Sequence, residues 1–245
     1  VTPVAVVTGA AGGIGAAIVR RLVADGFAVA ALDVAPPADE GVRAAVEGGT
    51  VGWWDCDVTD PIAVHDTVAA VVARHGRLDA LVNDAGLLSG RASFLETTPE
   101  QMHRFFDVNA VGVLLMTQAC FPHLRDAEAG GRVVNLGSRT FFTGGPGQLA
   151  YVASKGAVIG MTRVMARELG EHRVTVNAVV PAQVETPGTQ AHSGPEVFAR
   201  TRSQQAIPDP VTGDVVAGTV AHLLSPDGRL TTGQCVVVDG GGLLR

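Results

Sequence analysis

An α/β architecture, one doubly wound parallel sheet with helices on both faces, is what this 245-residue chain calls for. Short runs rich in Val and Ala recur without clean polar alternation, as strands buried on both faces do. Longer segments of helical periodicity separate them, and strand followed by helix along a whole chain points to parallel strands joined by right-handed crossovers. The first strand also runs straight into a glycine-rich turn and a helix, the arrangement in which a helix N-terminus receives a phosphate.

The apolar run 4–7 opens the sheet, and the segment from Thr8 to Gly15 carries the chain into a helix expected at 14–25. Gly9, Gly12, Gly13 and Gly15 let that chain turn tightly, let backbone approach a pyrophosphate and let the helix pack on the sheet, with Ile14 among them. The run 28–32 ends on Asp33, where an acid accepts hydrogen bonds from the adenosine ribose and repels a 2′-phosphate. No Arg flanks Asp33 or the turn in sequence, so NAD is expected as the cofactor rather than NADP. An Asp that merely ends a strand is the plainer alternative. The run 51–54 delivers Asp57 and Val58, and after a helix at 62–75 the run 80–82 delivers Asn83, Asp84, Ala85 and Gly86. Both groups fall at carboxyl ends of strands, where loops face the ligand crevice. The segment 101–124 is periodic throughout and is expected as one helix; the run 133–136 then leads to Ser138, and a helix at 150–170 carries Tyr151 and Lys155. After the run 174–180, the stretch 182–210 contains Pro187, Gly188, Gly194, Pro195, Pro208 and Pro210 and is expected as an irregular lid over the site. A helix at 215–224 and a strand at 235–238 complete a single domain spanning 1–245.

Composition narrows the function classes. With 47% apolar and 17% charged residues the chain is too hydrophobic for disorder, and no uninterrupted apolar run approaches the ~18 residues of a membrane span. The net charge is −6 and the 18 basic residues are scattered, so neither nucleic acid nor a membrane is expected as a partner. Cys56, Cys120 and Cys235 stand at long spacings that suit neither a disulfide framework nor a zinc site, and the seven histidines are single. No metal is expected, and the reading is cytoplasmic.

The 18 basic residues include one lysine, and the chain has one tyrosine. Lys155 and Tyr151 lie four residues apart, on one face of a helix. An ammonium beside a phenol stabilises phenolate and draws its pKa down from ~10 toward usefulness as a general acid or base. Ser138 is in reach of the same oxygen, which makes a clamp for a reacting hydroxyl or carbonyl.

These residues resemble the short-chain dehydrogenase/reductase family in its short single-domain form. The resemblance covers essentially the whole chain, through the Thr8 to Gly15 turn, Asp33, Asp57 with Val58, the Asn-x-Ala-Gly at Asn83 to Gly86, Asn109, Ser138, Tyr151 with Lys155, Asn177 and the Pro181 to Thr186 segment. It implies a Rossmann-like fold and hydride transfer between a nicotinamide cofactor and a small alcohol or carbonyl. Tyr151 would be the acid/base, Ser138 would position the substrate, Lys155 would bind the nicotinamide ribose and lower the phenol's pKa, and Asn109 would hold a relay water. Asp57 and Val58 would contact adenine; Asn83, Ala85 and Gly86 would line the ribose and phosphate path; Pro181, Val184 and Thr186 would meet the carboxamide end. A homo-oligomer, a tetramer in most of the family, is implied too. Two positions depart from the family pattern: Asp84 replaces a usual Asn and Ala182 a usual Gly, which bears on local geometry rather than on the reaction. Ser138 to Gly144, Tyr151 to Gly160 and Val238 to Gly241 are similar to a branch that includes pyridoxal 4-dehydrogenase and 1-phenylethanol dehydrogenase.

The expected substrate pocket draws on Leu88, Thr140, Phe141, Phe142, Gln148, Gln183 and His192, mostly apolar or aromatic, with Arg139 as the one nearby cation. Such a lining suits a neutral, aryl-substituted or hemiacetal alcohol. A 3-oxoacyl thioester reductase and a nucleotide-binding protein without catalysis are the alternatives, the latter disfavoured by the complete Asn109, Ser138, Tyr151 and Lys155 set. A nucleotide-sugar epimerase normally needs a longer C-terminal domain.

Overall fold

The computed structural model describes residues 1–88, 92–191 and 193–244. Seven parallel strands form one sheet: β1 (Val4–Thr8), β2 (Ala28–Asp33), β3 (Val51–Asp55), β4 (Ala80–Asn83), β5 (Arg132–Leu136), β6 (Thr175–Pro181) and β7 (Cys235–Val238), in the order β3-β2-β1-β4-β5-β6-β7. Each expected strand is present, with ends shifted by at most one residue.

The apolar runs are continuous because both faces of the sheet are covered. Val7, Val29, Ala31, Val82 and Val134 point to one face, under α1 (Gly13–Ala24) and α10 (Gly213–Leu224). Their neighbours Val6, Ala30, Leu32, Leu81 and Val133 point to the other, under α3 (Pro61–His75), α5 (Gly112–Leu124) and α7 (Leu149–Leu169). Ile18 and Leu22 of α1 are fully buried, and each such side chain contributes roughly 1.5–3 kcal/mol by leaving water. Asn83, Asn135 and Thr162 cross the core as a hydrogen-bonded ladder: Asn83 Nδ2 donates to Asn135 Oδ1 at 2.9 Å, and Asn135 Nδ2 donates to Thr162 Oγ1 at 2.9 Å.

The remaining helices correct the expectation in three places. A helix not anticipated, α2 (Glu40–Glu47), buries only Val42 and is started by Asp39, whose carboxylate accepts from the Val42 amide. The segment expected as one helix at 101–124 is one, Pro99–Leu124, but not α throughout: α4 (Pro99–Phe106) and α5 meet through a π-helical turn at Asp107–Val111. It is apolar and long enough to cross a membrane by length and composition, but Met116, Cys120 and Leu124 are buried in the sheet's core. The stretch 182–210 is not irregular throughout: α8 (Pro187–Gln190) and α9 (Pro195–Ser203) form within it, besides the four-residue α6 (Thr140–Thr143) earlier in the chain. Pro187 and Pro195, read as breakers, occupy the first turns of α8 and α9, where proline's missing N–H costs nothing. An ion pair between Arg202 and Glu185 at 2.5 Å ties α9 to the segment leaving β6.

Candidate active site

The strand order reverses between β1 and β4, and the loops leaving these two strands meet at the sheet's carboxyl edge, where an open α/β sheet holds its ligand. Close approach there demands glycine. A Cβ on Gly9, whose φ is 71°, would stand 2.7 Å from the Ala85 amide nitrogen, and one on Gly15 would stand 2.1 Å from the Gly9 carbonyl oxygen. A Cβ on Gly12 would meet nothing within 4 Å, so the outer side of the turn opens onto free space. No side chain caps α1, which leaves its first amides and its positive dipole end for an anion. The turn therefore fits a dinucleotide pyrophosphate.

A cavity of about 840 Å³ runs along this edge. Gly9, Gly12, Gly13, Ile14 and Asp33 line it from the first two strands; Asp57, Val58, Ala85, Gly86 and Thr186 line it from the other loops. Asp33 lines the cleft and holds the turn: Oδ2 accepts from the Ala11 amide at 2.9 Å and Oδ1 from the Ala35 amide at 3.0 Å. Asp57 accepts from the amide and hydroxyl of Thr59, at 2.9 and 2.8 Å. Thr186 caps α8. Arg20 is a cleft residue that local sequence did not reveal, because it lies a helical turn beyond the glycine segment; its guanidinium is held between Asp39 and Asp214. Two assignments change. Asn83 does not face the cleft: its side chain is 3% exposed and bonded into the core ladder, since it ends β4 pointing into the sheet. Gly15 serves the close packing of helix on turn and does not line the cavity.

A second cavity of about 470 Å³ adjoins the first and shares Ile14, Asp84, Gly86, Leu87, Leu88 and Thr189 with it. Ser138, Tyr151 and Lys155 meet on its wall, along with Pro181 and Val184. Ser138 follows β5 and α7 brings the other two, one turn apart, so sheet and helix together bring the triad into one place. The Ser138 hydroxyl stands near enough to the Tyr151 phenol to act on its ionisation. Ser138 Oγ also lies 2.8 Å from Thr140 Oγ1. Phe105 packs edge-on against the Tyr151 ring, centroids 6.3 Å apart. Lys155 is 6% exposed and donates from Nζ to the Leu136 carbonyl at 2.8 Å.

The protonation balance differs from the sequence expectation. Burial pushes the Tyr151 phenol above its ordinary value; the Ser138 hydroxyl opposes this, and the charge of Asp84 adds to it. The expected lowering by Lys155 is therefore not what the chain alone produces. Burial brings Lys155 down to about 8, with Asp84 opposing. Asp84 is the functional residue that sequence reading undervalued: burial pushes its carboxyl up to about 7, against the pull of Lys155 and of the Gly15 amide.

Asn109, fully buried in the π-helical turn, accepts from the Leu87 amide at 2.8 Å and donates to Ser154 Oγ at 2.9 Å. Ser154 Oγ in turn donates to the Tyr151 carbonyl at 2.7 Å, so Asn109 braces the loop after β4 against the turn of α7 that carries the tyrosine. A π-turn at such a place is a common way of aiming a functional side chain. Asn177 stays structural, donating to the Thr231 carbonyl and accepting from the Gln234 amide. Ala182 adopts no positive φ, so its replacement of glycine introduces no strain.

Of the expected substrate pocket, Leu88, Thr140, Gln148 and Gln183 surround the second cavity. Phe141 and Phe142 do not. They pack edge-on at 5.0 Å outside it, Phe141 over Gly156 of α7 and Phe142 against Ile159, Ala178 and Val180, because the short α6 turns both rings back onto the sheet and helix. His192 lies outside the described residues. Arg139 is not a solvent-facing cation: it lies 3.5 Å from Asp239 with its side chain 14% exposed. Arg200, from α9, is a further cation on the wall; the stretch 182–210 was expected over the site, but without a helical pattern nothing in sequence singled out which of its side chains would line the cavity.

Comparisons with known proteins agree with this fold. A family model described as enoyl-(acyl carrier protein) reductase matches residues 9–242. An uncharacterized oxidoreductase of Methylorubrum extorquens is 38% identical over 97% of this chain and 96% of its own. A 3-oxoacyl-[acyl-carrier-protein] reductase of Thermotoga maritima is 36% identical over 97% of this chain and 96% of its own. The crystal structure of a short-chain dehydrogenase/reductase from Brucella melitensis superposes with a TM-score of 0.89 at 29% identity, covering 99% of this chain and 97% of that one. The chain belongs to the short-chain dehydrogenase/reductase family, oxidoreductases that act on CH–OH groups with a nicotinamide cofactor.

Proposed function

We propose that this protein transfers hydride between NAD and a small neutral alcohol or carbonyl, with Tyr151 as the general acid/base. The observation that carries the reading is the meeting of Ser138, Tyr151 and the single, buried lysine on the wall of the second cavity, which adjoins the cofactor-sized first one. A substrate oxygen held by Ser138 gives its proton to Tyr151 during oxidation and takes it back during reduction. The nicotinamide, when bound, accepts or returns the hydride. Gly9, Gly12 and Gly13 would hold the pyrophosphate and Asp33 the adenosine ribose, while Val184 and Thr186 would stand at the carboxamide end. NAD is favoured because Asp33 and Asp39 both line the adenosine side of the cleft, and Arg20 is already engaged by two carboxylates. A 2′-phosphate there would meet charge of its own sign.

A cavity of about 470 Å³ suits a medium-sized alcohol, aryl-substituted or a pyridoxal-like hemiacetal. One observation favours a second reading: Arg200 lines the same cavity and makes no ion pair among the described residues, which suits an acyl thioester with an anionic carrier. Purified protein with NAD and a panel of aryl alcohols, pyridoxal, sugars and 3-hydroxyacyl thioesters, followed at the NADH absorbance band, tests both. Turnover dominated by the thioesters would replace the neutral-alcohol reading, and no turnover of any CH–OH substrate would remove the catalytic one.

A further inference from the structure

Asp84 lines both cavities, at the seam between the cofactor cleft and the reaction chamber. Its carboxyl is approached from three elements. From α1 the Gly15 amide favours its ionised form, and a Cβ on Gly15 would stand 2.8 Å from Asp84 Oδ2. From α7 come Lys155 and Tyr151, and from the end of β2 comes Asp33. Lys155 Nζ donates to the Leu136 carbonyl rather than to Asp84, and stands 3.4 Å from the place of a Cβ on Gly86; the Asp84 carbonyl oxygen stands 3.6 Å from the same point. Carboxylate and ammonium thus act on each other through space across one turn of backbone. The family motif usually carries a neutral Asn here, so this chain adds a charge beside its only lysine and only tyrosine.

We propose that Asp84 is a positioning residue for proton transfer: its carboxylate holds Lys155 as the ammonium and holds the proton on the Tyr151 hydroxyl, so three residues rather than two set the pH at which Tyr151 changes from acid to base. The inference rests on the reading of Tyr151 as the acid/base. The directions on both partners agree with it: Asp84 adds to the raising of the phenol and opposes the lowering of the lysine. Asp33 adds its own negative charge to the Asp84 side of the balance, and the Gly15 amide favours the ionised form of Asp84.

One lysine and one tyrosine make the test direct. In cofactor-free protein, the Cε resonance of carbon-13-labelled lysine titrates Lys155, and phenolate absorbance titrates Tyr151. In Asp84→Asn both midpoints are expected to fall by about one pH unit, the size of effect a nearby charge produces. Both limbs of the pH profile of kcat/KM for alcohol oxidation should move to lower pH with them, and Asp84→Glu should move them back. A merely structural role would lower the height of the profile without moving its limbs. Unmoved midpoints in a variant shown to be folded by its thermal melt overturn the proposal. If Asp84→Asn does not fold, Asp84→Ser is read the same way. The midpoints decide the role of Asp84, whereas turnover by the wild type decides the function it rests on, so the two failures are distinguishable.

Discussion

Tyr151 and Lys155 are the only residues of their types in the chain, and what singles them out in sequence is chemistry that their nearest substitutes cannot supply. Tyr151→Phe keeps the ring against Phe105 but removes the exchangeable proton. Turnover is expected to fall by ~10²-fold or more while NAD still binds, measured as NADH formation against cofactor fluorescence titration. Retained turnover would move the proton transfer to another group. Lys155→Arg should also be damaging, because a planar guanidinium does not fit the site from which the ammonium reaches the Leu136 carbonyl. Asp33→Ala should narrow the proposed preference for NAD over NADP, read as the ratio of the two kcat/KM values. It should also loosen the turn, since the carboxylate bonds to Ala11 and Ala35. These residues were legible because each carries a spacing or a rarity. Asp84 was visible only as a departure from a motif: its weight comes from Lys155 and Gly15, which lie far from it in sequence and reach it through the fold.

Elements were legible where burial enforces a pattern. All seven strands, α1, α3, α7 and α10 stood out because a sheet covered on both faces and helices packed on it need continuous or periodic apolar residues. α2 was missed because a surface helix that buries one residue leaves almost no pattern. α8 and α9 were missed because proline at a helix start looks in sequence like proline that breaks one. The π-turn at Asp107–Val111 leaves the apolar periodicity of its helix nearly intact, so nothing in the pattern betrays it. Gly15→Ala tests the junction of α1 with the turn: its Cβ would stand 2.1 Å from a backbone oxygen, too close for any rotamer to relieve. Both cofactor affinity and thermal stability should drop. Leu22→Ala, in the fully buried face of the same helix, should cost about 2–5 kcal/mol of unfolding free energy while leaving the pH profile of the remaining activity in place, which separates packing from chemistry.

For the molecule as a whole, the buried acid at the seam gives stability a pH dependence of definite sign. Asp84 titrates near 3.8 as a free side chain and at about 7 in the fold, so between these values the folded chain holds a proton that the unfolded chain has lost. This contribution makes stability fall as pH rises from about 4 to about 7. Denaturant midpoints across that window should show a shallower decline in Asp84→Asn than in the wild type; equal slopes would mean that the carboxyl is solvated as an ordinary one.

Sequence alone was enough for the sheet and its layers, the glycine turn and the pairing of Tyr151 with Lys155, because these rest on local rules of periodicity, turn geometry and spacing along one helix; the family came from the resemblance of its motifs, Ser138 among them, taken in order along the chain. Tertiary structure alone decided that Asn83 belongs to the core, that Phe141 and Phe142 turn away from the pocket, that Arg20 and Arg200 enter the two cavities, and that Asp84 confronts Lys155. These outcomes depend on which strand lies beside which and on how far one side chain is from another across the strand order's reversal. The free energy of a charge or a ring there is set by neighbours brought together in space, and no local pattern in the chain records them.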